Sequence, residues 1–344
     1  MKPGRIFEHQ ATAWRAGCAF GAMITLLAMS QALAGSASTG RLAAGRVVRI
    51  EKVMAREVIV PAGSFAMGVD DNIAGYARDQ CLLAFPSQRV QTIAGRVVDF
   101  CGDYFTDLTR TLVRSVYVDA FAIDRDEVTV ADYRACVAAG GCALDPLVGG
   151  DERYVRGEWP MVNATWEEAR EFCGWRGGRL PSEAEWERAA RGDGATAWPW
   201  GELEQPNDFN HGQPRSQTLR EIERPQPPPP IRYFGDPDAS DRTAILAPPG
   251  SYPWGEGPYG TRDQAGNVAE WTADAFIPRR GYDDLPAVNP LRDAPGAHAR
   301  VVRGGSWRQP AFVARSNLRD PFNEVYRQDQ RFSHIGFRCA RSVR

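Results

Sequence analysis

Residues 160–192 read PMVNATWEEAREFCGWRGGRLPSEAEWERAARG. Two helix starts stand out. Thr165-Trp166-Glu167-Glu168 and Ser182-Glu183-Ala184-Glu185 each put a hydroxyl three residues ahead of a glutamate, the reciprocal pairing that satisfies free N–H groups at a helix N-terminus. Between them, WRGGRLP is a tight glycine turn. On the first helix Trp166, Ala169, Phe172 and Cys173 share one face, so Cys173 points at the core. A third helix begins after Thr129, over VADYRACVAAGG, and Gly140-Gly141 ends it.

Outward from these helices the chain is β-rich and irregular. EVIVPAGSFAMG (57–68) is a β run ending in a turn and starts the folded domain, taken as 55–344. VRSVYVDAFAIDRDEVT alternates apolar residues as β structure does. The stretch between them, about 69–113, reads as an insertion closed by Cys81–Cys101. After WPWG, residues 213–250 are polar and Pro-rich, with Pro227–Pro230 suited to polyproline II; about 213–240 is a second insertion. No internal repeat is visible.

The 344 residues suffice for one large domain or two small ones. A formal net charge of -2 gives no basis for bulk nucleic-acid or acidic-membrane binding. With 34 glycines, 25 prolines and 10 tryptophans, a loop-rich fold pinned by aromatic anchors is expected.

Lys2, Arg5 and Arg15 precede the apolar AGCAFGAMITLLAMSQALA, and Ala32-Leu33-Ala34 before Gly35 fits small-x-small cleavage. Residues 1–34 therefore read as a signal peptide, with an uncleaved N-terminal anchor as the alternative, and 35–54 as a linker. No later segment is suited to crossing a membrane. Loss of the signal removes Cys18 and leaves six cysteines in an oxidising compartment, so three disulfides are expected. Cys136–Cys142 would staple the end of the third helix, and Cys339 is a plausible long-range partner for Cys173. With no CxxC pair and four histidines in the chain, cysteine- or histidine-based metal binding has little support.

GTRDQAGNVAEWTAD (260–274) gathers Asp263, Asn267 and Glu270 around a turn. Hard oxygens on an irregular loop suit Ca²⁺. Hydrogen bonds that merely hold the loop are the alternative, and the residues alone leave both open.

VPAGSFAMG, DEVTVADYRACV, the 160–192 block, WPWG, GNVAEW, RVVRGGSW and GFRCAR occur in this order and together resemble the formylglycine-generating enzyme, or sulfatase-modifying factor, family. The resemblance runs from about Glu57 to the C-terminus. It implies an α+β fold, a C-type-lectin-like variant with little regular structure. It implies two calcium sites: Asp263 and Glu270 with the carbonyls of Gly266 and Val268, and Asn210 and Asp241 with the carbonyls of His211 and Thr243. It also implies a Cys173–Cys339 disulfide.

Active members of that family oxidise a sulfatase cysteine with O₂ and copper(I), held by two cysteines soon after the Gly-Gly-Ser-aromatic turn. Here that stretch is RVVRGGSWRQPAFVARSNLR (300–319), and Gln309 and Ala314 stand at the two positions. Neither ligates copper(I), which favours soft thiolates, so copper is not expected. The related iron-dependent sulfoxide synthases take ligands from an added helical domain that this chain lacks. Other members without the cysteine pair resemble exported accessory proteins.

The expectation is thus a calcium-stabilised pseudoenzyme in the bacterial periplasm with a protein or peptide partner in the cell envelope. Its groove candidates are Ser306, Trp307, Arg315 and Asn317, with Arg303 and Arg308 beside them. The alternatives are an enzyme of another class using the same groove, and a formylglycine-generating oxidase with an unrecognised metal site.

Overall fold

Strand β1 (Glu57–Val60) turns directly into β2 (Gly63–Met67), and the two go to different sheets. The computed structural model describes residues 56–85, 89–91, 97–148, 154–194, 196–213, 236–237 and 239–343. The signal peptide expected at 1–34, the linker at 35–54 and Pro227–Pro230 lie outside these residues. All described residues belong to one compact unit.

In chain order follow helix α1 (Asp71–Ala84), the short pair β3 (Arg89–Gln91) and β4 (Val97–Asp99), helix α2 (Phe100–Leu108), β5 (Arg114–Val118), β6 (Phe121–Asp124) and α3 (Val130–Ala138). Next come α4 (Asp145–Val148), α5 (Trp166–Trp175), α6 (Glu183–Arg191), β7 (Gly212–Gln213), β8 (Asp236–Pro237), β9 (Ala269–Phe276), β10 (Ala299–Arg303), β11 (Ile335–Gly336) and β12 (Ala340–Ser342). One sheet is ordered β1-β6-β12 and another β10-β9-β11, with two-stranded pairs β2-β5, β3-β4 and β7-β8. β6 is antiparallel to both its neighbours, whereas β11 runs parallel to β9. Short helices on small sheets with long connections are the α+β architecture expected.

All three helix starts carry reciprocal caps: Thr129 with Asp132, Thr165 with Glu168 and Ser182 with Glu185. Tryptophans act as the expected anchors. Trp186, Trp198 and Trp271 are among the largest fully buried side chains, and the Trp271 indole donates to the Ala164 carbonyl at 3.1 Å. Trp166, Ala169, Phe172 and Cys173 are buried together on α5. The disulfides are Cys81–Cys101, Cys136–Cys142 and Cys173–Cys339. The last ties α5 to the segment entering β12 and so joins chain positions 166 apart.

The stretch 69–113, read from the sequence as an insertion, holds α1 and α2, which the sequence reading left without helices. The cause is composition. The buried stripe of α1 is Ala74, Ala77, Cys81 and Ala84, small residues that give a faint hydrophobic period. The two helices close on Phe312, Val313 and Leu318, within the segment that follows the Gly304-Gly305 turn. At the base, Val69 and Thr111 share a backbone bond of 3.0 Å.

Helix α6 departs from ordinary amphipathic patterning: every residue from Glu183 to Arg191 is buried. Glu183, Glu187 and Arg191 are compensated inside, whereas Arg188 reaches the exposed Asp193 at 2.9 Å. Glu183 accepts from Arg319 at 2.6 Å, from Arg303 at 3.0 Å and from the Tyr282 hydroxyl at 3.0 Å. Glu187 accepts from Arg303 at 2.7 Å and Arg191 at 2.8 Å. Buried charge is tolerated only when paired in this way.

Candidate functional site

β10 delivers the chain to Gly304 and Gly305, both at positive φ (94° and 65°). A Cβ on Gly305 would lie 2.8 Å from the Ala314 backbone nitrogen, so glycine is needed for the turn to fold back on the 311–314 helical turn. This contact brings the 306–317 residues together, but in the interior. Ser306, Trp307 and Asn317 are buried, and Arg315 is half-buried. Arg303, expected to line a groove, is instead fully enclosed by Glu183, Glu187 and the Ser316 carbonyl. Trp307 packs with Tyr154, Trp159, Val162, Leu246 and Val268. Arg308 lies over the Trp307 ring at 5.3 Å.

At the first of the two copper-ligand positions, Gln309 is 1% exposed and spans a polar network. Its Oε1 accepts from Ser306 Oγ at 2.8 Å, and its Nε2 donates to Asp320 at 2.6 Å. Tyr326 joins at 3.4 Å from Gln309 and 3.4 Å from His334. Burial pushes Asp320 up to about 6, with Gln309, the Phe322 N–H and Tyr326 pulling it back. Burial and then Arg308 hold His334 well below the usual imidazole range. Ser306 therefore donates to an amide, not a base, which is a poor arrangement for a nucleophile. At the second position, Ala314 is buried against Trp198 and Phe209. All six cysteines within the described residues are in disulfides. The donor set does not fit copper(I). Asp320 and Tyr326, 11 and 17 positions from Gln309, and His334 beyond them were not anticipated.

The two loops expected from the sequence to hold calcium meet. The Asn267 N–H donates to the Asn210 carbonyl at 2.8 Å, and the Asn210 amide donates to Asn267 Oδ1 at 3.0 Å. Gly266 is required here, since a Cβ would come within 2.1 Å of the Asn210 oxygen. Asp263 and Asn267 both adopt positive φ, turning carbonyls out of the ordinary backbone course.

At the Asn210 loop the donors fit a hard cation. Asn210 Oδ1 is buried and has no hydrogen-bond partner. Its own amide, bonded to the Ile245 carbonyl at 2.7 Å, fixes its orientation. Asp241 lies alongside, held by the backbone N–H groups of His211 at 2.7 Å and Thr243 at 2.9 Å. At the Asp263 loop the charge fits but one ligand is already engaged. Both oxygens of Glu270 accept N–H bonds, from Arg338 at 2.6 and 2.8 Å and from Trp186 at 2.7 Å. Glu127, Asp263 and Glu270 are all buried beside Arg338. Burial, then Asp263 and Glu270, push Glu127 well above the usual carboxylate range. Burial takes Asp263 up to about 6. Among the described residues no three His, Cys, Asp or Glu side chains form a metal cluster, so backbone and amide oxygens would have to complete either site.

A cavity of about 380 Å³ adjoins this loop, lined by Asp124, Asp126, Glu127, Asp132, Arg56 and Arg176 among others. Its arginines are committed: Arg176 is paired with Asp124 at 2.6 Å, and Arg56 with Asp132. The sequence carried no sign of it because its lining is drawn from distant segments.

Comparison with known proteins places this geometry. Residues 45–343 match the sulfatase-modifying factor enzyme 1-like domain. The chain is 34% identical over 188 residues to "Inactive C-alpha-formylglycine-generating enzyme 2" of Mus musculus, covering 54% of this chain and 50% of that protein. It is 28% identical over 303 residues to the "Formylglycine-generating enzyme" of Bos taurus, covering 82% of this chain and 74% of that protein. It spans about half the length of the first of these relatives. Among solved structures, PvdO from Pseudomonas aeruginosa superposes with a TM-score of 0.57 at 24% identity, over 83% of this chain and 94% of that one, a likeness of fold. The protein belongs to the family of sulfatase-modifying factor enzyme 1-like domains.

Proposed function

We propose that this protein is an exported, calcium-stabilised family member that acts by binding, as an accessory or regulatory protein of the bacterial periplasm, and does not carry out copper-dependent cysteine oxidation. The observation that carries this is Gln309. Where a thiolate would be needed, a buried amide links Ser306 to Asp320. Supporting it, Ala314 stands at the second position, and every described cysteine is in a disulfide. Three disulfides favour an oxidising compartment.

Calcium would be held by Asn210 Oδ1, Asp241 and the carbonyls of His211 and Thr243. A second ion would be held by Asp263, with Glu270 shared with Arg338, and the carbonyls of Gly266 and Val268. Bound calcium would supply charge for the buried carboxylates and lock the two loops that Asn210 and Asn267 join. The partner is a protein or peptide of the cell envelope. Metal analysis of residues 35–344, purified from an oxidising compartment, tests the reading. Calcium retained without copper is expected; copper in place of calcium would overturn it.

A further inference from the structure

The arginine of the 311–318 segment has an environment that the binding role leaves unexplained. The Arg315 guanidinium lies 5.0 Å from the centre of the Tyr76 ring and 5.9 Å from that of Trp198. Tyr76 comes from α1 in the insertion and Trp198 from the WPWG turn, so two separate parts of the chain clamp one cation. Cation–π contacts with two rings help to hold a guanidinium in place. The Arg315 charge also acts on the Tyr76 hydroxyl, against the burial that raises it. No carboxylate of the described residues forms an ion pair with Arg315, whose Nε is buried and has no acceptor. The neighbouring Arg303 and Arg319, by contrast, are both paired with Glu183.

Trp198 supplies a second, independent sign. It is fully buried, yet its indole Nε1–H has no acceptor. On the same segment as Arg315, Ser316 Oγ and Asn317 Oδ1 are also buried without partners. An acceptor on a ligand would meet the Trp198 indole N–H and the Ser316 hydroxyl, whereas Asn317 Oδ1 is itself an acceptor and would need a donor. The backbone fixes the arrangement: the Ser316 N–H donates to the Ala197 carbonyl at 2.9 Å, holding the arginine segment against the tryptophan turn.

We propose that Arg315, Trp198 and Tyr76 form a binding site for a carboxylate, the ligand class of the binding role proposed above, on which this inference rests. One guanidinium and one indole N–H match a single negative charge. The exposed carboxylate of Glu204, which acts on Tyr76, would oppose a more highly charged anion. The carboxylate comes from a free organic acid or from an acidic side chain of a partner.

The test is a ¹H–¹⁵N NMR titration of the full chain, disulfides intact, with succinate, with a terminally blocked peptide containing one glutamate, and with inorganic phosphate. Trp198→Phe identifies the indole signal. That signal should move downfield and saturate with a carboxylate probe. The affinity should fall roughly tenfold or more in Arg315→Gln, the scale of one lost charge-assisted hydrogen bond. Arg315→Lys, which keeps the charge, should recover part of it. Saturation by succinate alone identifies a free acid, and by the peptide alone an acidic partner; either upholds the site. No saturable movement with either carboxylate, tighter response to phosphate, or an unchanged affinity in both Arg315 variants would overturn it. A copper(I) titration of the same sample reports separately on the binding role itself.

Discussion

Gln309 donates to Asp320 at 2.6 Å, with both side chains sealed from solvent. This one amide occupies a position where the family's chemistry needs sulfur, and it also satisfies a buried carboxylate and the Ser306 hydroxyl. The replacement is thereby structural, and its removal should be felt in stability. Gln309→Leu leaves Asp320 and Ser306 each short of a partner, at a cost of about 1–3 kcal/mol. Urea unfolding at neutral pH should show this loss. An unchanged midpoint would mean that the network is dispensable.

Asp320 also fixes a pH dependence. Burial raises it to about 6 in the folded chain, above its ordinary value, so the folded state holds that proton more tightly than the unfolded one. Its contribution is then full below about pH 4 and is lost as pH rises through about 6. Two units correspond to about 3 kcal/mol. Asp274, also raised to about 6 by burial and Glu183, acts in the same direction, while the lowered Glu183 acts in the opposite one. The difference between wild type and Asp320→Asn isolates the single group. Urea midpoints at several pH values should show wild type losing stability relative to the variant between pH 4 and 7.

Asn210 predicts a calcium response. At calcium about 100 times Kd, one site adds about 2.7 kcal/mol. A chelator should lower the melting temperature and calcium restore it. In Asn210→Ala, which removes the unpartnered Oδ1, the calcium-dependent increment should shrink by one site's share. Calorimetry with and without calcium measures this directly, and an equal increment in wild type and variant would remove Asn210 from the ligand set.

The Cys173–Cys339 bridge spans 166 positions. Replacing both cysteines with alanine should cost about 2–5 kcal/mol, chiefly by freeing the unfolded chain. Urea unfolding of the double variant reads the loss, and the folded far-UV spectrum should be retained at low temperature.

The sequence made some of this visible and hid the rest for physical reasons. Local chemistry was legible: the Thr165 and Ser182 boxes, the Gly140-Gly141 stop and the face that aims Cys173 inward are all encoded within a few residues. α1 was not, because alanines bury as well as leucines in a tight stripe yet barely mark a period. The burial of α6 was equally hidden. Glu183 and Glu187 look solvated until Arg303 and Arg319, more than 100 residues away, are folded onto them. At the candidate site, the absence of the cysteine pair could be read directly. What replaced it could not, because Asp320, Tyr326 and His334 reach Gln309 only through the fold. Arg303 was misplaced as a groove residue for the same reason.

The most direct test of the central claim is a copper(I) titration of residues 35–344, disulfide-bonded, against a competing chelator. The account predicts that the chelator keeps the copper, since Gln309 and Ala314 offer no thiolate. One copper(I) per chain, held against the chelator, would contradict it and show that a copper ligand set lies elsewhere in the fold.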